Sequence, residues 1–243
     1  MKKEYWYVII AYIAMQLSSL IGIPIVAFIG AAMGKSLEEM ETLSIPYWLV
    51  ISFSLTLVIV LLLLRKERRT GADLRDASSP VSSAAWAFAG VFLALFAQSI
   101  ASSIENMLGI EMGSENTQEI IKLIEMFPIV ILVSSIIGPI LEEIVFRKII
   151  FGSLHKKMNF FFSALISSVI FALAHMEPEH VILYSAMGLT FAFLYVKTKR
   201  IIVPIIAHVT MNTMVVLVQS VFREDIERMI KEAEKIQSFI GGF

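Results

Sequence analysis

Seven stretches of this chain are long enough and apolar enough to cross a bilayer, and that constrains the fold more than any other feature. At roughly 20 residues per crossing they run Trp6–Ala32, Tyr47–Leu64, Ala84–Ile104, Phe127–Leu154, Met158–His175, His180–Val196 and Ile201–Phe222. Backbone polar groups in lipid must be satisfied within the segment, so such spans are helices. The expectation is an all-α, polytopic transmembrane bundle in one integral-membrane domain, residues 1–243, with an eighth span if a segment is re-entrant. Composition agrees, with 57% hydrophobic and 17% charged residues, against about 25% charged in soluble domains. A net charge of −1 offers nothing to nucleic acid, and the absence of cysteine excludes disulfides, Cys-ligated zinc and a thiol nucleophile.

The first apolar stretch exceeds the 7–15 residues of a signal-peptide core and reads as a span. Loop charges orient the chain. Arg65, Lys66, Arg68, Arg69 and Arg75 lie in the second loop, Lys148, Lys156 and Lys157 near the fourth, and Lys197, Lys199 and Arg200 in the sixth. The odd loops carry acids instead, among them Glu38, Glu105, Glu115, Glu177 and Glu179. By the positive-inside rule the amino terminus is cytoplasmic; the expected setting is the cytoplasmic membrane of a prokaryote. From Arg223, Ile226, Met229, Ile230, Ala233, Ile236, Phe239 and Ile240 recur at helical spacing among charges. That pattern predicts an amphipathic helix over 223–240 that lies on the membrane surface or packs on the bundle.

Ionisable groups inside the spans cluster in the second half. Phe127 to Leu141 carries no charge, and then Glu142, Glu143 and Arg147 arrive together. A charge at the bilayer centre costs roughly 2.5–3.5 kcal/mol on insertion scales, so these residues need a reason to be there. Glu143 and Arg147 are i,i+4 with the acid first, the favoured order for an ion pair. Glu142 points about 100° away and has no same-helix partner. Pro139, one turn earlier, marks a kink or a helix start. Phe171 and His175 share a face of the fifth span, and His208 and Asn212 share one of the seventh. Glu142, His175, His208 and Asn212 each need a partner in lipid, and a common buried site is the economical solution. Depths counted at 1.5 Å per residue agree only within about three turns: about 20 Å for Glu142, 27 Å for His175, 18 Å for Asn212 and 12 Å for His208.

Such a set can hydrolyse. A desolvated carboxylate is a competent base for water, and a histidine can orient that water or carry its proton to the leaving amine. An Asn amide and a second histidine can donate to a developing oxyanion, worth about 2.7–4 kcal/mol per donor. There is no His-Glu-x-x-His helix, no Gly-x-Ser-x-Gly elbow and no intramembrane Asp. A proton-coupled carrier remains an alternative, as Glu and His also build relays, although no repeat relates the two halves. A non-enzymatic immunity or scaffold protein is another. The run His175–His180, "HMEPEH", looks metal-like, but Pro178 breaks any shared helix face and a solvated loop is expected after His175. The basic run from Arg65 to Arg69 reads as a topogenic signal beside anionic lipid.

Glu142-Glu143-x-x-x-Arg147, Phe171-x-x-x-His175 and His208-x-x-x-Asn212, in that order on three spans, resemble the motifs of the CAAX-protease and bacteriocin-processing family of intramembrane glutamic endopeptidases, which includes the enzyme that trims prenylated CAAX proteins. The likeness covers Ile136 to Val215, within an expected catalytic core over about 124–221. It implies that Glu142 activates water with help from His175. It also implies that His208 and Asn212 form the oxyanion site, and that Glu143, Arg147 and Phe171 support the architecture. The substrate would be a membrane-anchored or prenylated peptide. Family members often carry Gly-x-x-x-Gly on the sixth span, where this chain has Gly188 and Ala192; small residues at that spacing still allow close packing. No cofactor is favoured. If metal were needed, Glu142, His175 and His208 would be adequate zinc ligands.

Overall fold

Capping residues mark where the helices start. A computed structural model describes residues 1–67 and 76–222, with Arg228 and Glu232. Apart from those two residues, the amphipathic helix expected over 223–240 lies outside the described residues, as do the basic residues Arg68, Arg69 and Arg75. Ser36 Oγ accepts from the Glu39 N–H at 3.1 Å and opens α2 (Leu37–Leu64), which follows α1 (Lys3–Ala32). Ser79, followed by Pro80, opens α3 (Pro80–Met107). Ser114 opens α4 (Glu115–Met126), and Asn159 opens α6 (Phe160–Leu173). In each case a side-chain oxygen satisfies one orphan N–H of the first turn.

Between α4 and α6 runs one helical rod, α5, spanning 130–154. It alternates between α and π geometry: π over Val133–Ile137, α over Gly138–Glu142, then π over Glu143–Phe151. Pro139 sits at the second residue of the central α piece and cannot donate to the ladder, which favours a change of register there. Wide π turns are frequent at functional sites, and here they flank Glu142. Helix α7 (Val181–Thr198) ends at Lys199 in the left-handed conformation, and α8 (Ile202–Val221) follows.

Among the described residues five helices are long and apolar enough to cross a membrane: α1, α2, α3, the segment Pro178–Thr198 that includes α7, and α8. The rod α5 occupies the expected fourth span. The expected fifth span is shorter than hydropathy suggests. Helix α6 has 14 residues, or roughly 21 Å, against a hydrocarbon core of about 30 Å. Leucines and phenylalanines on α1, α2 and α3, such as Leu20, Leu55 and Phe88, face outward as lipid-facing residues would.

Close approach holds the helices together. On α1, a Cβ at Gly22 would fall 1.8 Å from the Trp48 indole of α2, so only glycine admits that ring. The Trp48 Nε1–H also donates to Ser18 at 3.1 Å. A Cβ at Gly188 of α7 would fall 2.7 Å from the Cβ of Ser168 on α6, and buried Ala192 and Ala164 share a cluster further along. The expected small-residue seam is therefore real. The main core gathers Tyr12, Leu141, Phe146, Phe171, Met187, Phe191 and Leu194, drawn from α1, α5, α6 and α7.

Candidate active site

Phe171 stands at the centre of the polar residues picked out from sequence. The Arg147 guanidinium carbon lies 4.1 Å over its ring. His175 meets it edge-on at 4.5 Å between centroids, and His208 lies 6.2 Å away. Three helices therefore bring their motif residues to one place, and Phe171 is the apolar partition between the two imidazoles.

Glu143 and Arg147 form the expected i,i+4 pair, with Arg147 Nε 3.3 Å from Glu143 Oε2 and both side chains buried. Glu143 does more than balance this charge. Its Oε1 lies 2.9 Å from His208 Nδ1, and a carboxylate there makes Nδ1–H the donor. His208 Nε2 is then turned toward Glu142, whose Oε2 is 3.8 Å away. That is beyond hydrogen-bond range, and the Glu142 side chain keeps 18% exposure against none for Glu143. Of two adjacent glutamates, one is consumed by its neighbours and the other, among the described residues, has only the 3.8 Å approach of His208. Phe191 stacks on the His208 ring at 4.6 Å.

His175 is held differently. Its Nδ1 lies 2.9 Å from the Phe171 carbonyl, so Nδ1–H donates and Nε2 is left open. Tyr184 stacks on the ring at 4.0 Å. Glu142 is near enough for its charge to act on His175. Counted from Phe160, where α6 starts, His175 lies about 22 Å along, so the depth mismatch expected from sequence narrows. Asn212 is on the same helix as His208, but its Nδ2 reaches toward the Ser134 carbonyl of the first π segment at 3.5 Å, a long contact.

The run after His175 is only partly solvated, with Met176, Pro178 and Glu179 exposed. Glu177 and His180 are buried, and so is Glu105 at the end of α3. His180 directs Nδ1 to Glu105 at 2.9 Å and Nε2 to the Gly113 carbonyl at 3.1 Å, two acceptors that require N–H on both nitrogens. Glu177 accepts from Ser114 Oγ at 2.7 Å, the Asn116 N–H at 2.8 Å and Tyr184 Oη at 2.5 Å. Burial alone would raise the Glu177 carboxyl, but these bonds outweigh it and hold it below its ordinary value. On α1, buried Tyr12 packs edge-on against Phe146 at 5.7 Å and adds a hydroxyl near Glu142 and Arg147. Sequence reasoning passed over Tyr12 and Tyr184; their only signal was a hydroxyl inside an apolar helix.

A metal requires three donors in one shell. Among the described residues no three of His, Asp or Glu are gathered closely enough to hold one. The zinc set Glu142, His175 and His208 does not fit as placed.

The segment that carries these residues also has relatives. A family model described as Type II CAAX prenyl endopeptidase Rce1-like matches residues 124–214, from α4 through most of α8. The chain is 50% identical over 244 residues to the putative membrane peptidase YdiL of Bacillus subtilis (strain 168), covering 100% of this chain and 99% of the relative. It is 32% identical over 238 residues to the membrane-embedded CAAX protease MroQ of Staphylococcus aureus (strain USA300), covering 94% of each. The chain belongs to the CAAX protease family. This CAAX-type protease is a membrane endopeptidase, and its long apolar helices mark an integral membrane protein. No solved structure matches it significantly.

Proposed function

We propose that this protease hydrolyses a peptide bond of a membrane-associated substrate with water activated by Glu142. The observation that carries the reading is the division of labour between adjacent carboxylates. Glu143 is buried, paired with Arg147 and bonded to His208, whereas Glu142 is partly exposed and accepts no direct hydrogen bond among the described residues. A free carboxylate beside two imidazoles suits a general base.

His175, with Nδ1–H given to a carbonyl, offers Nε2 as the atom that takes the proton and passes it to the leaving amine. His208 has Nδ1–H committed to Glu143, so it can donate to an oxyanion only through a second proton on Nε2. In that state Glu142, Glu143, Arg147 and His208 sum to zero charge, which suits a site sheltered from water. Asn212 would supply the other donor once its long contact to Ser134 yields. We favour a scheme without metal, which the donor placement above supports.

The substrate class we favour is a prenylated carboxy terminus or another membrane-anchored peptide, supported by the family description. The loop charges support an amino terminus in the cytoplasm of a prokaryote. The test offers purified protein in detergent a panel of peptides, prenylated and not, with and without chelator. Cleavage should vanish in Glu142→Gln while the melting curve persists. Unchanged cleavage in that variant would remove Glu142 as base, and loss on chelation with rescue by zinc would replace the metal-free scheme.

A further inference from the structure

His175 is not held by a helix. Helix α6 ends at Leu173, and Met176, the residue after His175, sits at φ 60°, a left-handed conformation unusual for a side chain that is not glycine. His175 lies in the closing turn, its N–H bonded to the Ala172 carbonyl at 3.1 Å, and its ring is aimed by side-chain contacts. These are the bond from Nδ1 to the Phe171 carbonyl, the edge of the Phe171 ring at 4.5 Å, and the face of Tyr184, 4.0 Å away and 26° from parallel.

Tyr184 is itself locked. It is buried on the first turn of α7, and its hydroxyl donates to Glu177 Oε2 at 2.5 Å. That same oxygen takes the Ser114 hydroxyl, and Oε1 takes the Asn116 N–H. The ring cannot swing away from His175 without breaking a bond to a carboxylate anchored at the start of α4. Glu177 also lies two residues after His175, so it pins the backbone of the reversal while Tyr184 pins the imidazole.

We infer that Tyr184 and Glu177 are positioning residues, with Tyr184 fixing the plane of the His175 imidazole and Glu177 fixing Tyr184, so that His175 Nε2 is held ready for the reaction at Glu142. The inference deepens the proposed mechanism and rests on His175 taking part in it.

The test uses the full chain in detergent, with kcat and KM measured separately for a peptide that the wild type cleaves. Tyr184→Phe keeps the ring but loses the bond that ties it to Glu177, so kcat should fall about tenfold. Tyr184→Leu fills space without a ring and should lower kcat about 10²-fold, with KM changed little, the scale expected when a reacting group is misplaced. Nitrogen-15 spectra of labelled histidine, with His175 assigned by its loss in His175→Ala, should show a single Nδ1–H form in wild type. Both ring forms should appear in Tyr184→Leu. If Tyr184→Leu melts lower but turns over at the wild-type rate, the positioning role is wrong, and if Tyr184→Phe turns over at that rate, Glu177 has no part in it. His175→Ala separates the two levels: a dead His175→Ala beside a fully active Tyr184→Leu overturns the positioning alone. An active His175→Ala overturns the mechanism and the positioning role with it.

Discussion

Glu143 on α5 and His208 on α8 meet in a 2.9 Å hydrogen bond that joins two motifs 65 residues apart. The same carboxylate faces Arg147 through its other oxygen. One buried acid thus neutralises a guanidinium, orients an imidazole and ties α5 to α8. Removing it should disturb both stability and chemistry.

Glu143→Gln leaves the Arg147 guanidinium buried without the carboxylate that pairs with it. Breaking a buried pair by deleting one partner costs about 3–5 kcal/mol, so the variant should melt well below wild type in detergent. Adding Arg147→Met removes the stranded charge and should recover most of that loss, because apolar replacement of both partners is close to neutral.

His208→Ala removes one proposed oxyanion donor. Loss of such a donor costs about 2.7–4 kcal/mol, or roughly 10²–10³ in kcat. Steady-state cleavage should show that fall mainly in kcat, because the interaction strengthens as the oxyanion forms.

Gly188→Ala puts a methyl group 2.7 Å from Ser168 Cβ. Overpacking of this kind costs about 1–3 kcal/mol. Ser168→Gly in the same chain vacates the space and should restore most of the melting temperature; a double variant no better than Gly188→Ala would mean that the seam is looser than described.

Glu67 accepts from Lys2 at 2.8 Å, Tyr5 at 2.5 Å and Lys148 at 2.5 Å, drawing α1, α2 and α5 together at one end of the bundle. Burial alone would raise its carboxyl, but the bonds from Lys148, Lys2 and Tyr5 outweigh burial and hold it down from the ordinary 4.5 to about 2. A depressed acid stabilises the fold fully above the unfolded value and loses that contribution as pH falls through the folded one. The stability gap between wild type and Glu67→Gln should therefore be full at pH 7 and close as pH falls from about 4.5 toward 2. A gap that does not change with pH would mean that Glu67 acts through packing.

Much of the site was legible because its signals are local. Glu142, Glu143 and Arg147 stand out against an uncharged run, and the i,i+4 spacing of the pair survives even in a π segment. Phe171 with His175, and His208 with Asn212, are likewise one turn apart. The second role of Glu143 was not legible, because nothing near it in sequence names His208.

What the sequence by itself determined is the inventory: apolar segments that can only be helices in lipid, their order, and the few ionisable groups whose burial demands a partner. Hydropathy and spacing along a helix are properties of neighbours, and neighbours are what a sequence displays. Only the tertiary structure decided how long α6 is, where α5 changes register, and that Glu105, Glu177 and His180 are buried. Apart from Tyr184, which bonds Glu177 from seven residues on, their partners lie 61 to 78 residues away in the chain. A loop acid that faces water and one that anchors Tyr184 look the same until packing brings a distant helix beside one of them.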